Sequence, residues 1–186
     1  MLFRSHTASN LGSTRYAITP QDARRAVDPA RYTRRRLAYR DVASATNRLT
    51  LIATILPAGC LSTHTLFCLR TPVPLRHQYY LCGLFNSFVL NYFVRMRIST
   101  HVTTAIIESL PVPRPDEWPR ACREISALSR LVAHRDDRPS AARLQALVAA
   151  LYQLSLVEYE HVLTTFPLVP SPEREAALHA FAAIAR

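Results

Sequence analysis

The side chains able to do chemistry in this sequence are mostly arginines and hydroxyls, and they gather in a few places. Arg34, Arg35, Arg36 and Arg40 lead into an apolar segment; Thr46, Asn47 and Arg48 follow in a polar gap; Ser62, Thr63 and His64 occupy a second gap; and Arg95, Arg97, Ser99, Thr100 and His101 close a long apolar stretch. Guanidinium and hydroxyl groups bind phosphate oxygens. Arg and Asn also pair bidentately with guanine and adenine edges, each pair discriminating by about 1 to 3 kcal/mol. These groups are therefore candidates for contact with a nucleic acid: Asn47 and Arg48 for bases, Arg95 and Arg97 with Ser99, Thr100 and His101 for phosphates. Each has a plainer alternative. Asn47 is equally a turn residue that closes its own backbone, and Thr63 and His64 suit a solvated turn. Arg95 and Arg97 complement the negative end of a helix, and a short basic run often serves solubility alone.

The charge balance favours a polyanionic partner. Net charge is +10, and all 23 basic residues are arginine, although a composition rich in Ala and Arg can reflect codon bias alone. Distribution says more than the total. Residues 1–107 hold 14 Arg against Asp22, Asp28 and Asp41, a balance of +11, whereas residues 108–186 hold 9 Arg against 10 acids, a balance of −1. Each phosphate neutralised by such a basic half releases condensed counterions and so adds sequence-independent affinity. A membrane surface is the rival polyanion. The apolar run over residues 79–94 is shorter than the roughly 20 residues a bilayer needs and contains Asn86 and Asn91, so a buried helix is expected there rather than a membrane partner.

Catalytic and metal chemistry find little to work with. His6, His64, His77 and His101 have no neighbouring Ser, Cys or Asp in a nucleophile motif, and the basic half carries too few carboxylates for a paired-acid nuclease. Cys60, His64 and Cys68 are evenly spaced, yet a structural zinc takes four ligands and the other candidates are scattered, so buried thiols are the expectation. Cys60, Cys68, Cys82 and Cys122 lack any CxxC spacing and the chain opens without a secretory signal pattern, which predicts a reducing, cytoplasmic setting.

Hydrophobic periodicity predicts the elements that must hold these groups. Residues 37–43, 49–56 and 65–70 read as strands, the second ended by Pro57 and Gly59 and the third by the Thr-Pro-Val-Pro segment 71–74. Residues 78–98 read as one long helix, with Leu81, Leu84, Phe85, Phe88, Val89, Tyr92, Phe93 and Met96 at three- and four-residue steps. A return strand is expected over 102–107, then a rigid exit at Leu110-Pro-Val-Pro113. Beyond it the spacing predicts helices capped by Asp116, by Ser140 and by a Ser155–Glu158 capping box, and a last one starting at Ser171-Pro172. Leucines 144, 147, 151 and 154 form a stripe that packs inside this bundle. Before residue 34 the chain is loop-rich, with Gly12, Pro20 and Pro29 and a short helix at 21–27. The expected fold class is α+β: a small antiparallel or mixed sheet packed on a long buried helix, followed by a C-terminal helical bundle. The divisions are an N-terminal segment 1–33, a core 34–113 and a helical tail 114–186.

Four segments carry a family resemblance. Residues 36–57, RLAYRDVASATNRLTLIATILP, resemble the target-recognition (TaqI-type specificity) region of the Type IIG and phage-exclusion adenine-specific DNA methyltransferases. Residues 84–90, LFNSFVL, resemble that family's LLNSFVLDYL helix, and residues 101–113, HVTTAIIESLPVP, its loop, strand and LPVP exit. LVAALYQLS at 147–155, continuing to VLTTFP at 162–167, is similar to the family's LYGLTEEEF…ILSTFP signature. The resemblance covers residues 34–169 and implies a sequence-specific recognition domain with double-stranded DNA as partner, in a restriction-modification or phage-defence setting. The family's glycine-rich turn for S-adenosylmethionine and its Asn-Pro-Pro-aromatic segment are both missing, and Gly12, Gly59 and Gly83 are the only glycines. The resemblance therefore implies a fragment, split subunit or truncated product that holds no cofactor of its own. Catalysis and S-adenosylmethionine would then belong to a separate methyltransferase core. A scaffold that assembles with such a core without reading DNA is the alternative, motivated by the near-neutral, apolar-striped tail.

Overall fold

A computed structural model describes residues 17–184; His6, Gly12 and the rest of residues 1–16 of the expected N-terminal segment lie outside the described residues. Strand β1, Arg36–Arg40, is central, flanked by β2, Ala53–Leu56, and β3, Leu66–Cys68. Both pairings are antiparallel, with Leu37 opposite Ile55 and Tyr39 opposite Ala53 and Phe67. Alternation along a strand sends Leu37, Tyr39, Ala53 and Ile55 to one face, where they join the apolar core. Arg36, Ala38 and Arg40 take the opposite face. Strands β2 and β3 fall inside the predicted spans 49–56 and 65–70, while β1 starts one residue before the predicted 37–43 and ends three residues short of it.

The helix predicted over 78–98 is two helices, α2 Leu75–Phe85 and α3 Phe88–Arg95. Its apolar stripe runs unbroken across the gap, so the cause is polar. Ser87 accepts from Leu90 N–H at 3.1 Å, capping α3, and donates to the Leu84 carbonyl at 2.6 Å. The Asn86 amide turns sideways onto β2, accepting from Ala53 N–H at 3.0 Å and donating to Ala53 C=O at 2.9 Å. At Ala53, Asn86 thus takes the place that a neighbouring strand would fill on the edge of β2. Gln145 completes the joint from the tail, accepting from Phe88 N–H at 2.9 Å and donating to Asn86 C=O at 3.1 Å. Asn91, fully buried, accepts from Thr50 and Leu51 N–H, each at 2.8 Å, and so pins the β1–β2 loop onto α3.

The return strand predicted over 102–107 is instead a short helix, α4 Thr104–Glu108. Thr103 caps it by accepting from Ile106 N–H at 3.3 Å. Extended pairing survives only as a single bridge between Val42 and His101. The β-branched run favours a strand, but local capping prevails over that propensity.

Four helices follow: α5 Pro119–His134, α6 Arg138–Leu151, α7 Leu156–Thr164 and α8 Ser171–Ile184. Asp116 does not cap α5, which starts at Pro119 after Trp118, and Asp137 rather than Ser140 caps α6, accepting from Ser140 N–H at 3.2 Å. The Ser155–Glu158 capping box forms as predicted, and its two hydrogen bonds to Ser155 hold the Glu158 carboxyl below the usual range. Leu144 and Leu151 are buried, with Leu147 and Leu154 packed against the same core. Gly83 lets α5 lie close on α2, since a Cβ there would stand 2.8 Å from Ile125 Cγ2. One apolar core runs from Leu37 to Phe181. The linker around residue 113 is tied to it by Tyr80, which donates to Pro113 C=O at 3.0 Å, and by Tyr152, which donates to Pro111 C=O at 2.7 Å. Among the described residues no helix is long and apolar enough to cross a membrane.

Candidate functional site

The open edge of β3 forms one wall of a cleft of about 1110 Å³. The short helix α1, Pro20–Ala26, leads into a 3-10 turn at Pro29–Arg31, and that turn with Arg34, Arg35 and Arg36 makes the facing wall. The loop 61–64 and the Pro-rich strap 71–75 complete it. Local chemistry fixes each part. Asp28 accepts from Ala30 N–H at 2.9 Å and so shapes the 3-10 turn. Gly59, at φ +84°, reverses the chain after β2 in a conformation that L side chains rarely adopt, and its N–H reaches the Tyr32 carbonyl at 2.8 Å. Gln78 on α2 accepts from Leu37 N–H at 2.8 Å and donates to Val73 C=O at 2.9 Å, tying β1 to the strap.

Among the described residues five arginines line this cleft, Arg31, Arg34, Arg35, Arg36 and Arg70, against one carboxylate, Asp28. Among the described residues none of the five is ion-paired. Arg36 lies deepest, 9% exposed, with Nη2 donating to Cys60 C=O at 2.6 Å and its buried Nε without an acceptor. Arg31, Arg34, Arg35 and Arg70 are exposed. Concave, low-dielectric walls lined with one sign of charge focus the field and concentrate anions. Of the residues singled out from the sequence, Arg34, Arg35, Arg36, Ser62, Thr63 and His64 meet here. Arg31, Arg70, Phe67 and Gln78 also line the cleft and escaped sequence reasoning. The basic character of Arg70 just before the Pro-rich segment was the available signal.

The loop between β1 and β2 is organised inward instead. Thr46 N–H donates to Ser44 Oγ at 3.2 Å, and Asn47 N–H to Ser44 C=O at 3.1 Å. With its amide set to satisfy both neighbours, Asn47 accepts from Ser44 N–H at 3.1 Å and from Arg40 Nη2 at 2.9 Å. Of the two roles open to Asn47, the turn is the one its contacts fill. Arg48 is paired with Glu173 on α8, so the tail neutralises it. Arg95, expected at a phosphate, faces the protein: it donates to the carbonyls of Thr165, Asn47 and Arg48 and to Thr50 Oγ1, and lies 3.9 Å over the Phe166 ring. Partial burial holds the Arg40 and Arg95 guanidinium groups below the usual arginine range. The guanidinium of Arg95 therefore clamps loop, α3 and tail together rather than waiting for a ligand.

The remaining predicted residues form a separate exposed group. Arg97 donates to Phe93 C=O at 3.4 Å, Ser99 and Thr100 are exposed, and His101 Nδ1 lies 3.0 Å from Asp41 Oδ2. None of these lines the arginine cleft. Cys60 and Cys68 are half-buried, Cys82 and Cys122 buried, and all four are free. Among the described residues no three His, Cys, Asp or Glu side chains are grouped to hold a metal ion. Comparison with protein-family models, curated proteins and solved structures gives no match.

Proposed function

We propose that this chain is a DNA-binding recognition module that takes DNA phosphates on the arginine cleft and works alongside a separate methyltransferase core. One observation carries the DNA reading: five arginines share a cleft with a single carboxylate, and none is ion-paired among the described residues. Grouping like charges is unfavourable by itself, and a polyanion relieves it while releasing its own counterions. Thr63 and His64 add hydrogen-bonding groups at the rim. The four sequence segments supply the link to adenine-specific methyltransferases and make duplex DNA the first partner to test. No catalytic step is assigned to this chain.

Fluorescence anisotropy with labelled DNA, duplex and single-stranded, tests this proposal. Binding at low salt that weakens steeply with added salt is expected, together with loss of affinity in Arg34→Ala/Arg35→Ala and little change in Arg97→Ala. Failure to bind either form at low salt refutes it.

Assembly without DNA is favoured by a different observation. Leu156 and Val157 at the start of α7 are exposed, Val157 to 75%, and Leu168 beyond its end is exposed as well. Apolar side chains left in water on the near-neutral tail suit contact with a partner polypeptide. A Val157→Asp variant that no longer co-elutes with a methyltransferase core, yet still binds DNA, assigns the two surfaces separately.

A further inference from the structure

We infer that the arginine cleft receives an unpaired DNA strand, one of whose bases stacks on Phe67. This rests on the DNA-binding reading above and adds the form of DNA that the cleft takes. Phe67 is 42% exposed on the open edge strand β3 and lines the same cleft as Arg31, Arg34, Arg35 and Arg70. An aromatic ring held in water gains nothing for folding from the surface it leaves exposed. Its position is nonetheless set: the ring lies 5.7 Å from that of Tyr39, at 16° to it, and Tyr39 is only 3% exposed. A buried ring therefore orients an exposed one, leaving a fixed apolar plane at the β3 edge of a cleft whose lining also carries the guanidinium groups.

Shape decides between paired and unpaired DNA. A duplex is a convex rod whose bases are read by elements that protrude into its grooves. Here the charges line a concavity walled by the 3-10 turn, the loop 61–64 and the Pro-rich strap. A single strand enters such a channel, placing phosphates against cations and bases against aromatic rings. Unpaired bases offer the π-face that a duplex keeps stacked. The volume of about 1110 Å³ is on the scale of a few nucleotides.

The test uses the full chain, with an oligodeoxythymidylate and a duplex of equal length in anisotropy titrations. Phe67→Leu is expected to weaken binding of the single strand about tenfold and to leave duplex binding within about twofold, since base–aromatic stacking contributes that order of affinity. Phe67→Trp keeps the plane and should restore the single-strand affinity; with Trp118→Phe as background, its fluorescence should be quenched by the oligonucleotide and not by inorganic phosphate. Unchanged single-strand binding by Phe67→Leu, an equal loss for both DNA forms, or wild-type preference for the duplex overturns the inference. If Phe67→Leu fails to fold, the tryptophan quenching decides alone, and absence of quenching is the refutation. Absence of all DNA binding by the wild type overturns the parent proposal instead.

Discussion

Replacing Gln78 with Met keeps the length and volume of the side chain while removing both of its hydrogen bonds. The Leu37 N–H, buried at the start of the central strand, then has no acceptor, and Val73 C=O loses its donor. A buried unsatisfied backbone group costs about 1 to 3 kcal/mol and the second lost bond about 1 kcal/mol, so Gln78→Met should destabilise the fold by about 2 to 4 kcal/mol. With a urea dependence of about 1 to 3 kcal/mol per molar, the midpoint should fall by about 1 to 2 M at unchanged slope. Single-domain stabilities of about 5 to 15 kcal/mol leave the variant folded at room temperature. Circular dichroism during urea titration measures the shift. Releasing the strap should also weaken DNA binding under conditions in which the variant stays folded. A midpoint that moves by less than the equivalent of about 0.5 kcal/mol, the range of an ordinary surface change, would refute the role given to Gln78 as the tie between sheet and cleft wall.

Gly83→Ala gains about 1 kcal/mol of helix propensity but drives a Cβ to 2.8 Å from Ile125 Cγ2, so a net loss of about 1 to 2 kcal/mol in thermal or urea melts is expected; a raised Tm would show that α5 gives way freely. Arg95→Met removes the clamp on Thr165, Asn47 and Arg48 and should cost about 2 to 4 kcal/mol, Arg95→Lys should not rescue it, and DNA affinity should stay near wild type while the protein is folded. Burial pushes the Cys82 thiol up to about 12, so its deprotonation opposes folding: the stability is complete below the unfolded thiol's value near pH 8.5 and is lost as pH rises toward 12, by up to about 1.4 kcal/mol per pH unit. Urea midpoints across that range should show the decline in the parent and a shallower one in Cys82→Ala, and parallel curves would argue against it.

Local signals were legible where they were self-contained. The positions of the three strands, the capping box at Ser155 and the Ser171-Pro172 helix start each depend on residues close in sequence. The break at Asn86 and Ser87 was not, because the apolar spacing from Leu81 to Met96 continues through it and Asn86 is diverted by a strand 33 residues away. The partners of Arg48 and Arg95 are hidden in the sequence for the same reason. Glu173 lies 125 positions from Arg48, and the Thr165 carbonyl 70 from Arg95, so nothing near either arginine announced a partner. Charge counting located the basic half correctly, yet it could not distinguish guanidinium groups that hold the protein together from those that face outward. Arg34 and Arg35 belong to the second kind, exposed and in no ion pair among the described residues, and Arg31 and Arg70 join them only through folding.

The salt dependence of binding to a single-stranded oligonucleotide tests the cleft most directly. The four exposed arginines, Arg31, Arg34, Arg35 and Arg70, predict a slope of log K against log salt near −3, at about −0.7 per neutralised phosphate. Replacing Arg34 and Arg35 with alanine should bring it to about −1.5. A slope near zero, or one that the double substitution leaves unchanged, would contradict the claim that these guanidinium groups meet DNA.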